Sequence, residues 1–235
     1  YSRGVNLRNQ VQTEDPTSEA IWRYWDDHRS ADSTFQRLLV EDEKRKLLAF
    51  GEIEQTSSNR SSYDIRLHME ERTWMTEIPR HLYSILLKRG RPGTGSTLTV
   101  KAREDQVHFL SFLKSNGYAL KMRSHAALLE VGRFSVTPFE ALRSQVTSRD
   151  IQVCQPPHKW TEDPIWKSRI YDLYCDILRD IPHPAFRPNP SLQDFMDEEV
   201  NHPNFLESGY FLALAGSDAV GMSSLVKRGG GTRIL

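Results

Sequence analysis

The chain has 235 residues, 38% of them apolar and 26% charged, an ordinary balance for a globular protein with room for one large or two small domains. Its 31 basic and 31 acidic residues cancel, so no global charge draws it to nucleic acid or to an acidic membrane surface. Two cysteines, Cys154 and Cys175, exclude a disulfide framework and suit a cytoplasmic setting, and no apolar run is long enough for a transmembrane helix.

Val5 and Leu7 alternate with polar neighbours and predict a short first strand. Thr13-Glu14-Asp15-Pro16 then reads as the start of a helix carrying Ile21, Trp22, Tyr24 and Trp25. Phe35 to Val40 and Leu47 to Ile53 flank the charged turn Glu41-Asp42-Glu43-Lys44 and predict a β-hairpin. Tyr63, Ile65, Leu67 and Met69 alternate strictly with Asp64, Arg66, His68 and Glu70, the period of a half-buried strand. After a charged turn the period changes. Trp74, Ile78, Leu82 and Leu86 recur every four residues, which is a helix face. Strand, turn and helix together set a helix N-terminus where an anion would be received.

Lys88 to Ser96 holds glycines among basic residues, but it runs into the strand-like Leu98-Thr99-Val100. A phosphate-binding loop needs Gly-Lys-Ser/Thr opening a helix, so a helix end and a loop are expected here. Leu98 to Ala102 predicts a strand, and Val107, Leu110 and Leu113 predict a helix closed at Asn116-Gly117. Tyr118 to Met122 and Ala126 to Val131 predict two more short strands. Phe134 to Ser148 connects, with Phe139, Leu142 and Val146 spaced for a short helix.

The pattern then restarts. Ile151 and Val153 predict a strand, and Thr161-Glu162-Asp163-Pro164 repeats the earlier tetrapeptide ahead of a helix carrying Ile165, Trp166, Ile170, Tyr174 and Leu178. Tyr210 to Ala215 and Ala219 to Leu225 repeat the hairpin around Gly216-Ser217-Asp218, and a Pro-rich insertion at Ile181 to Pro190 accounts for the changed spacing. Tetrapeptide, helix and hairpin in the same order predict a duplication. The second copy stops at Leu235, where the counterpart of Tyr63 to Met69 should begin, so a further half-domain is expected beyond it. The boundaries are 1–133 for the first copy, 134–150 for a linker and 151–235 for a partial second copy.

The order of elements resembles the GNAT superfamily of acyl-CoA-dependent N-acetyltransferases. The most specific stretch is His108-Phe109-Leu110-Ser111-Phe112-Leu113-Lys114-Ser115-Asn116-Gly117-Tyr118, which looks like the family's fourth helix and its Phe-Tyr-x-x-x-Gly-Phe ending. Val220-Gly221-Met222 in the second hairpin looks like the family's second and third strands. Tandem members such as mycothiol synthase share the two-copy plan. The resemblance implies an α/β (α+β) fold: a mixed, mostly antiparallel sheet flanked by helices, duplicated, with the second copy incomplete. It also implies acetyl transfer from acetyl-CoA to the amine of a small-molecule acceptor, by direct attack on the thioester. In the family, splayed central strands take up the pantetheine arm, and an Arg/Gln-x-x-Gly-x-Gly/Ala turn holds the pyrophosphate.

Carried over residue by residue, the resemblance gives Leu67 and Met69 as backbone partners of pantetheine, with Thr76, Glu77 and Arg80 in the pyrophosphate turn. It also exposes departures. Trp74 stands where Arg or Gln is expected, Glu77 and Pro79 replace the two glycines, and Leu113 replaces the tyrosine that protonates the leaving thiolate. Glu77 repels a pyrophosphate and Pro79 has no N–H to offer. The first copy therefore reads as degenerate, with the chemistry expected in the second and no catalytic residue assigned. A binding module without transfer is the alternative. In the second copy Glu198 and Glu199, in the acidic run Asp194 to Glu199, are candidates to attract an amine, against a solvated helix face. Phe186 is a candidate to close over the acceptor, against a plain loop residue. The eight histidines show no ligand spacing, so no metal is expected. The basic loop at Lys88 to Arg91 is too short a patch for nucleic acid.

Overall fold

The computed structural model describes residues 1–13, 15–29, 33–55, 61–125, 129–181, 189–228 and 231–234, and of 131, 228 and 231–234 the backbone alone. The chain divides into two compact units, Tyr1–Leu120 and Lys121–Leu235.

The first unit holds a sheet in the order β1-β2-β3-β4, built from β1 (Phe35–Glu41), β2 (Leu47–Gln55), β3 (Ser62–Met69) and β4 (Thr97–Val100). The first three strands pair antiparallel and β4 runs parallel to β3. Alternation along β2 and β3 divides the side chains between two faces. On one face Ala49, Ile53, Ile65, Leu67 and Met69 pack against α3 (Ile78–Gly90) and α4 (Val107–Ser115) through Leu82, Leu86, Phe109 and Leu113. Two glycines allow the close approach: a Cβ on Gly51 would lie 2.6 Å from Leu86, and one on Gly90 would lie 2.6 Å from Ile53. On the other face Phe50 and Leu47 pack against α1 (Ser2–Val11) and α2 (Glu19–Asp27) through Val5, Leu7 and Trp22.

Three expectations fail in this unit. Val5 and Leu7 belong to the helix α1 and not to a strand. Gly4, Leu7 and Val11 recur at helical spacing, and Gly4 sits under Trp22, where a Cβ would come within 2.8 Å of the ring. The Thr13 to Pro16 stretch does not cap α2. Ser18 does, its Oγ accepting from the Ile21 N–H at 3.3 Å. The Asn9 side chain holds the intervening loop by exchanging bonds with the Thr17 backbone at 2.9 and 2.8 Å. Tyr118 to Met122 forms no strand, because its apolar positions do not share a buried face. Tyr118 turns back to Tyr83 while Leu120 is 73% exposed. In the other strand expected there, residues 126–128 lie outside the described residues.

The face of the sheet toward α2 also carries a partly buried ionic network around the buried Glu52. Arg37 donates to Glu52 at 2.6 Å and to Asp26 at 2.7 Å, and Arg66 reaches Glu52 at 3.3 Å and Glu54 at 3.1 Å. Arg29 bridges Asp26 and Glu54. Each carboxylate thus meets at least two guanidinium groups, the condition for keeping a charge in a dry place. Burial opposes the charge of Glu52, but Arg37 and Arg66 hold its carboxyl below the usual range. Next to it His68 stacks on Phe50, ring centroids 4.5 Å apart, and burial pushes its imidazole down to about 4.

The second unit holds an antiparallel sheet in the order β5-β6-β7-β8, from β5 (Ile151–Cys154), β6 (Tyr210–Ala215), β7 (Asp218–Arg228) and β8 (Gly231–Ile234). Here β8 flanks the β6–β7 hairpin as β3 flanks β1–β2. Before the sheet's first strand comes α5 (Glu140–Thr147), which buries no side chain. The long α6 (Pro164–Asp180) does begin at the repeated tetrapeptide: Asp163 Oδ1 accepts from the Ile165 and Trp166 N–H groups at 2.8 and 3.3 Å, with Pro164 in the first turn. Then α7 (Leu192–Phe195) runs into a π turn, Met196–Val200. The core joins Trp160, Ile170, Leu173, Phe195, Val200, Tyr210 and Leu212.

The buried imidazole gives the first unit an acid limb. His68 titrates at about 4 when folded against 6.5 when unfolded, so the unfolded chain binds a proton first and stability is lost as pH falls from 6.5 toward 4. The loss is about 3 kcal/mol, and the depressed Glu52 extends it at lower pH. Denaturant midpoints followed against pH by tryptophan fluorescence should show this limb, and His68→Gln should flatten its part above pH 4.

Candidate functional site

Two features of the first unit converge at the end of β3. The strand pairs with β2 from Tyr63 to Met69, but with β4 only from Ser62 to Ile65. Beyond Ile65 its β4-facing edge has no strand partner among the described residues. An extended chain laid against that edge finds unpaired backbone groups, as in strand addition. Leu67 and Met69 stand on this open stretch, their side chains buried toward α3 and α4.

The turn follows. Glu71–Met75 forms a 3-10 turn, and Trp74 anchors it by stacking on Phe109 of α4 at 4.4 Å between ring centroids. The structure brings Thr76, Glu77 and Arg80 together at the N-terminus of α3. They edge an open cavity of about 220 Å³, whose far wall is His108, Ser111 and Phe112 of α4. The donors of this helix end are largely used or missing. Thr76 Oγ1 accepts from the Ile78 N–H at 3.2 Å while donating to the Thr73 carbonyl at 2.8 Å. Pro79 in the first turn has no N–H. Glu77, fully in solvent, brings a negative charge to the positive end of the helix dipole. Arg80 lies 3.4 Å from Glu77, and both are so exposed that the pair contributes little.

Leu113, where the resemblance would place a tyrosine, is a core residue. Tyr83 and Tyr118 bring their hydroxyls within 3.1 Å of each other; burial and that bond push the Tyr118 phenol up. Sequence reasoning missed this pair. The signal was Gly117 at φ 81°, a left-handed residue that reverses the chain after α4 and returns Tyr118 to the helix pair.

In the second unit the two glutamates separate. Glu198 is exposed and Glu199 is half-buried. The Tyr174 hydroxyl of α6 donates to Glu199 Oε1 at 3.2 Å, and burial pushes the Glu199 carboxyl up. Burial, and after it the charge of Glu199, raises the phenols of Tyr174 and Tyr210 in turn. Phe186 lies outside the described residues. Among the described residues no cluster of three or more His, Cys, Asp or Glu is placed to hold a metal ion, and no helix is long and apolar enough to cross a membrane.

No family model matches the chain, and no curated protein does. Among solved structures, a GCN5-related N-acetyltransferase from Sphaerobacter thermophilus superposes with a TM-score of 0.60 at 12% identity, over 99% of this chain and 70% of that one. An acetyltransferase from Trypanosoma brucei matches with a TM-score of 0.40 at 13% identity, over 55% of this chain and 92% of its own. Glucosamine-6-phosphate N-acetyltransferase from Arabidopsis thaliana matches with a TM-score of 0.39 at 13% identity, over 54% and 88%. The first of these, spanning both units, shows the fold: the chain is built as the GCN5-related N-acetyltransferases are.

The turn's chemistry predicts a gain of function. Inorganic pyrophosphate titrated into the first-unit cavity and followed by the resonances of α3 should bind weakly. Glu77→Gly with Pro79→Ala removes the opposing charge and restores an N–H, and should tighten binding by about tenfold.

Proposed function

We propose that the chain belongs to an acyltransferase that moves an acetyl group from acetyl-CoA to the amine of a small-molecule acceptor, with the chemistry in the second unit. The parting of β3 from β4 at Ile65 supports the reading most directly, because it leaves an edge of the kind the pantetheine arm occupies in this fold. The fold likeness over nearly the whole chain supports it independently.

In this reading the first unit keeps the scaffold of a cofactor site and lacks its anion hold. Leu67 and Met69 still present backbone on the open edge, while Thr76, Glu77, Pro79 and Arg80 make a turn with few donors for a pyrophosphate. Amine attack on a thioester needs an unprotonated nucleophile and a place for its proton, and the half-buried Glu199 of the second unit is a candidate for that place. We read the two units, β1–β2–β3 and β6–β7–β8, as copies of one ancestral hairpin plus strand. The unpaired Cys154 and Cys175 fit the reducing cytoplasm. A binding module without transfer is the second reading, favoured by the same donor-poor turn at Pro79.

Acetyl-CoA binding by calorimetry, with CoA release over a panel of primary amines, distinguishes the two. Binding with release supports the transferase, binding without release supports the module, and the absence of binding overturns both.

A further inference from the structure

The two units begin differently, and the difference leaves one sheet edge open. In the second unit the segment ahead of α6 is the strand β5, which pairs antiparallel with β6, the first strand of the hairpin, through Leu212 to Ala215. In the first unit the segment ahead of α2 is the helix α1, which packs on the face of the sheet against Leu47 and Phe50. The outer edge of β1, the first strand of that hairpin, therefore has no strand partner among the described residues. Leu39 on this edge is 51% exposed, although Phe50, opposite it on β2, is fully buried.

The ladder shows which groups that edge offers. In an antiparallel pair, opposed residues alternate between those that exchange both bonds and those whose N–H and C=O point away. The Gln55 N–H donates to the Thr34 carbonyl at 2.8 Å, and beyond the irregularity at Val40/Glu41 the Asp42 N–H donates to the Lys46 carbonyl at 3.0 Å. Counted from either end, Arg37, Leu39 and Glu41 turn their backbone groups outward. Such a row is a template for a further strand, and proteins usually guard it with charged side chains or proline. Here the two charges have opposite signs and stand equally far from Leu39. Laid antiparallel against itself about Leu39, the stretch Arg37-Leu38-Leu39-Val40-Glu41 sets Arg37 opposite Glu41, Leu38 opposite Val40 and Leu39 opposite Leu39. The charges that would turn away most strands thus attract a copy. Arg37 uses three of its five N–H donors on Asp26 and Glu52, which leaves room for another carboxylate, and among the described residues Glu41 is paired with Arg3 alone, at 2.7 Å.

We propose that the outer edge of β1 is a self-association surface, on which a second copy of this chain adds its own β1, antiparallel, about a two-fold axis through Leu39. The bonded pairs of this arrangement are Arg37 with Glu41, Leu39 with Leu39, and Glu41 with Arg37, the three residues whose backbone groups point outward. The first-unit sheets of the two copies join into one continuous sheet, and the exposed Leu39 side chains cover each other. A two-fold contact uses the same surface on both copies, so association closes at a dimer. The inference rests on this edge alone and is independent of the acyl-transfer reading.

The test uses the whole chain. Sedimentation equilibrium over a wide concentration range should show a monomer in equilibrium with a dimer. Leu39→Lys, at an exposed position, should raise the dimer Kd by about tenfold, and Glu41→Arg, which sets like charges opposite each other in both outer pairs, by about as much. Leu39→Pro removes the central outward N–H while sparing the bonds to β2, and should act in the same direction. Circular dichroism checks the fold of each variant, and the lysine and arginine substitutions, which leave the core untouched, keep the test open should Leu39→Pro fail to fold. Amide hydrogen exchange at Arg37, Leu39 and Glu41 should slow in the wild type as protein concentration rises, and should not do so in Leu39→Lys. A wild type that stays monomeric, or a dimer whose Kd neither Leu39→Lys nor Glu41→Arg moves, would overturn the proposal. So would protection of these amides that is independent of concentration, which would place the cover of the edge within one chain.

Discussion

The constraint on which the first unit depends is the unequal pairing of β3. One edge is bonded to β2 through Met69, while the other is bonded to β4 only as far as Ile65. A strand so placed must be fixed by its faces where its edge is open. The helix pair α3 and α4 does this from one side through Leu82, Leu86 and Phe109, and Phe50 with the ring of His68 does it from the other. Gly51 and Gly90 let α3 seat directly on β2, which sets where its N-terminus and the preceding turn emerge. The open edge and the helix end are therefore products of one packing arrangement. The turn can lose its donors while the scaffold persists, because neither Glu77 nor Arg80 takes part in that packing.

Buried charge marks the second contrast within the chain. The network around Asp26, Arg37, Glu52 and Arg66 is internally neutralised, and removing one partner leaves another charge stranded. It ties α2 to the strands and holds the α2 side of the sheet closed. Among the described residues Glu199 is met by the Tyr174 hydroxyl and by no basic side chain.

Much of the fold was legible in the sequence, and the failures have physical causes. The hairpins were readable as apolar runs around a turn, and β3 because its apolar residues Tyr63, Ile65, Leu67 and Met69 share the α3–α4 face while Asp64, Arg66 and His68 take the other, so alternation survives in the residue order. The first helix was missed because two apolar residues at spacing two outweighed Gly4, whose role as a notch for Trp22 depends on a helix far along the chain. The repeated tetrapeptide was a true cap before α6 and not before α2, where Ser18 stood closer to the apolar face. Tyr118 to Met122 had the period of a strand, but a strand also needs a neighbour, and that is not a local property. At the site, Thr76, Glu77 and Arg80 could be placed together from the turn alone. The pairing of Glu199 with Tyr174 could not, since it joins residues of different helices through a π turn, and a π turn has no composition signal.

A helix N-terminus that receives a ligand must leave its first N–H groups unpaired and its approach free of like charge. The α3 terminus does neither: Thr76 takes one donor, Pro79 deletes another, and Glu77 supplies the anion in advance. These three changes each favour a stable helix end in the absence of ligand, and together they exchange binding capacity for rigidity. A unit fixed in that way can brace the chain but has little left with which to hold a phosphate. In the other unit Glu199, on the π turn, is half-buried and among the described residues is met by the Tyr174 hydroxyl and by no basic side chain.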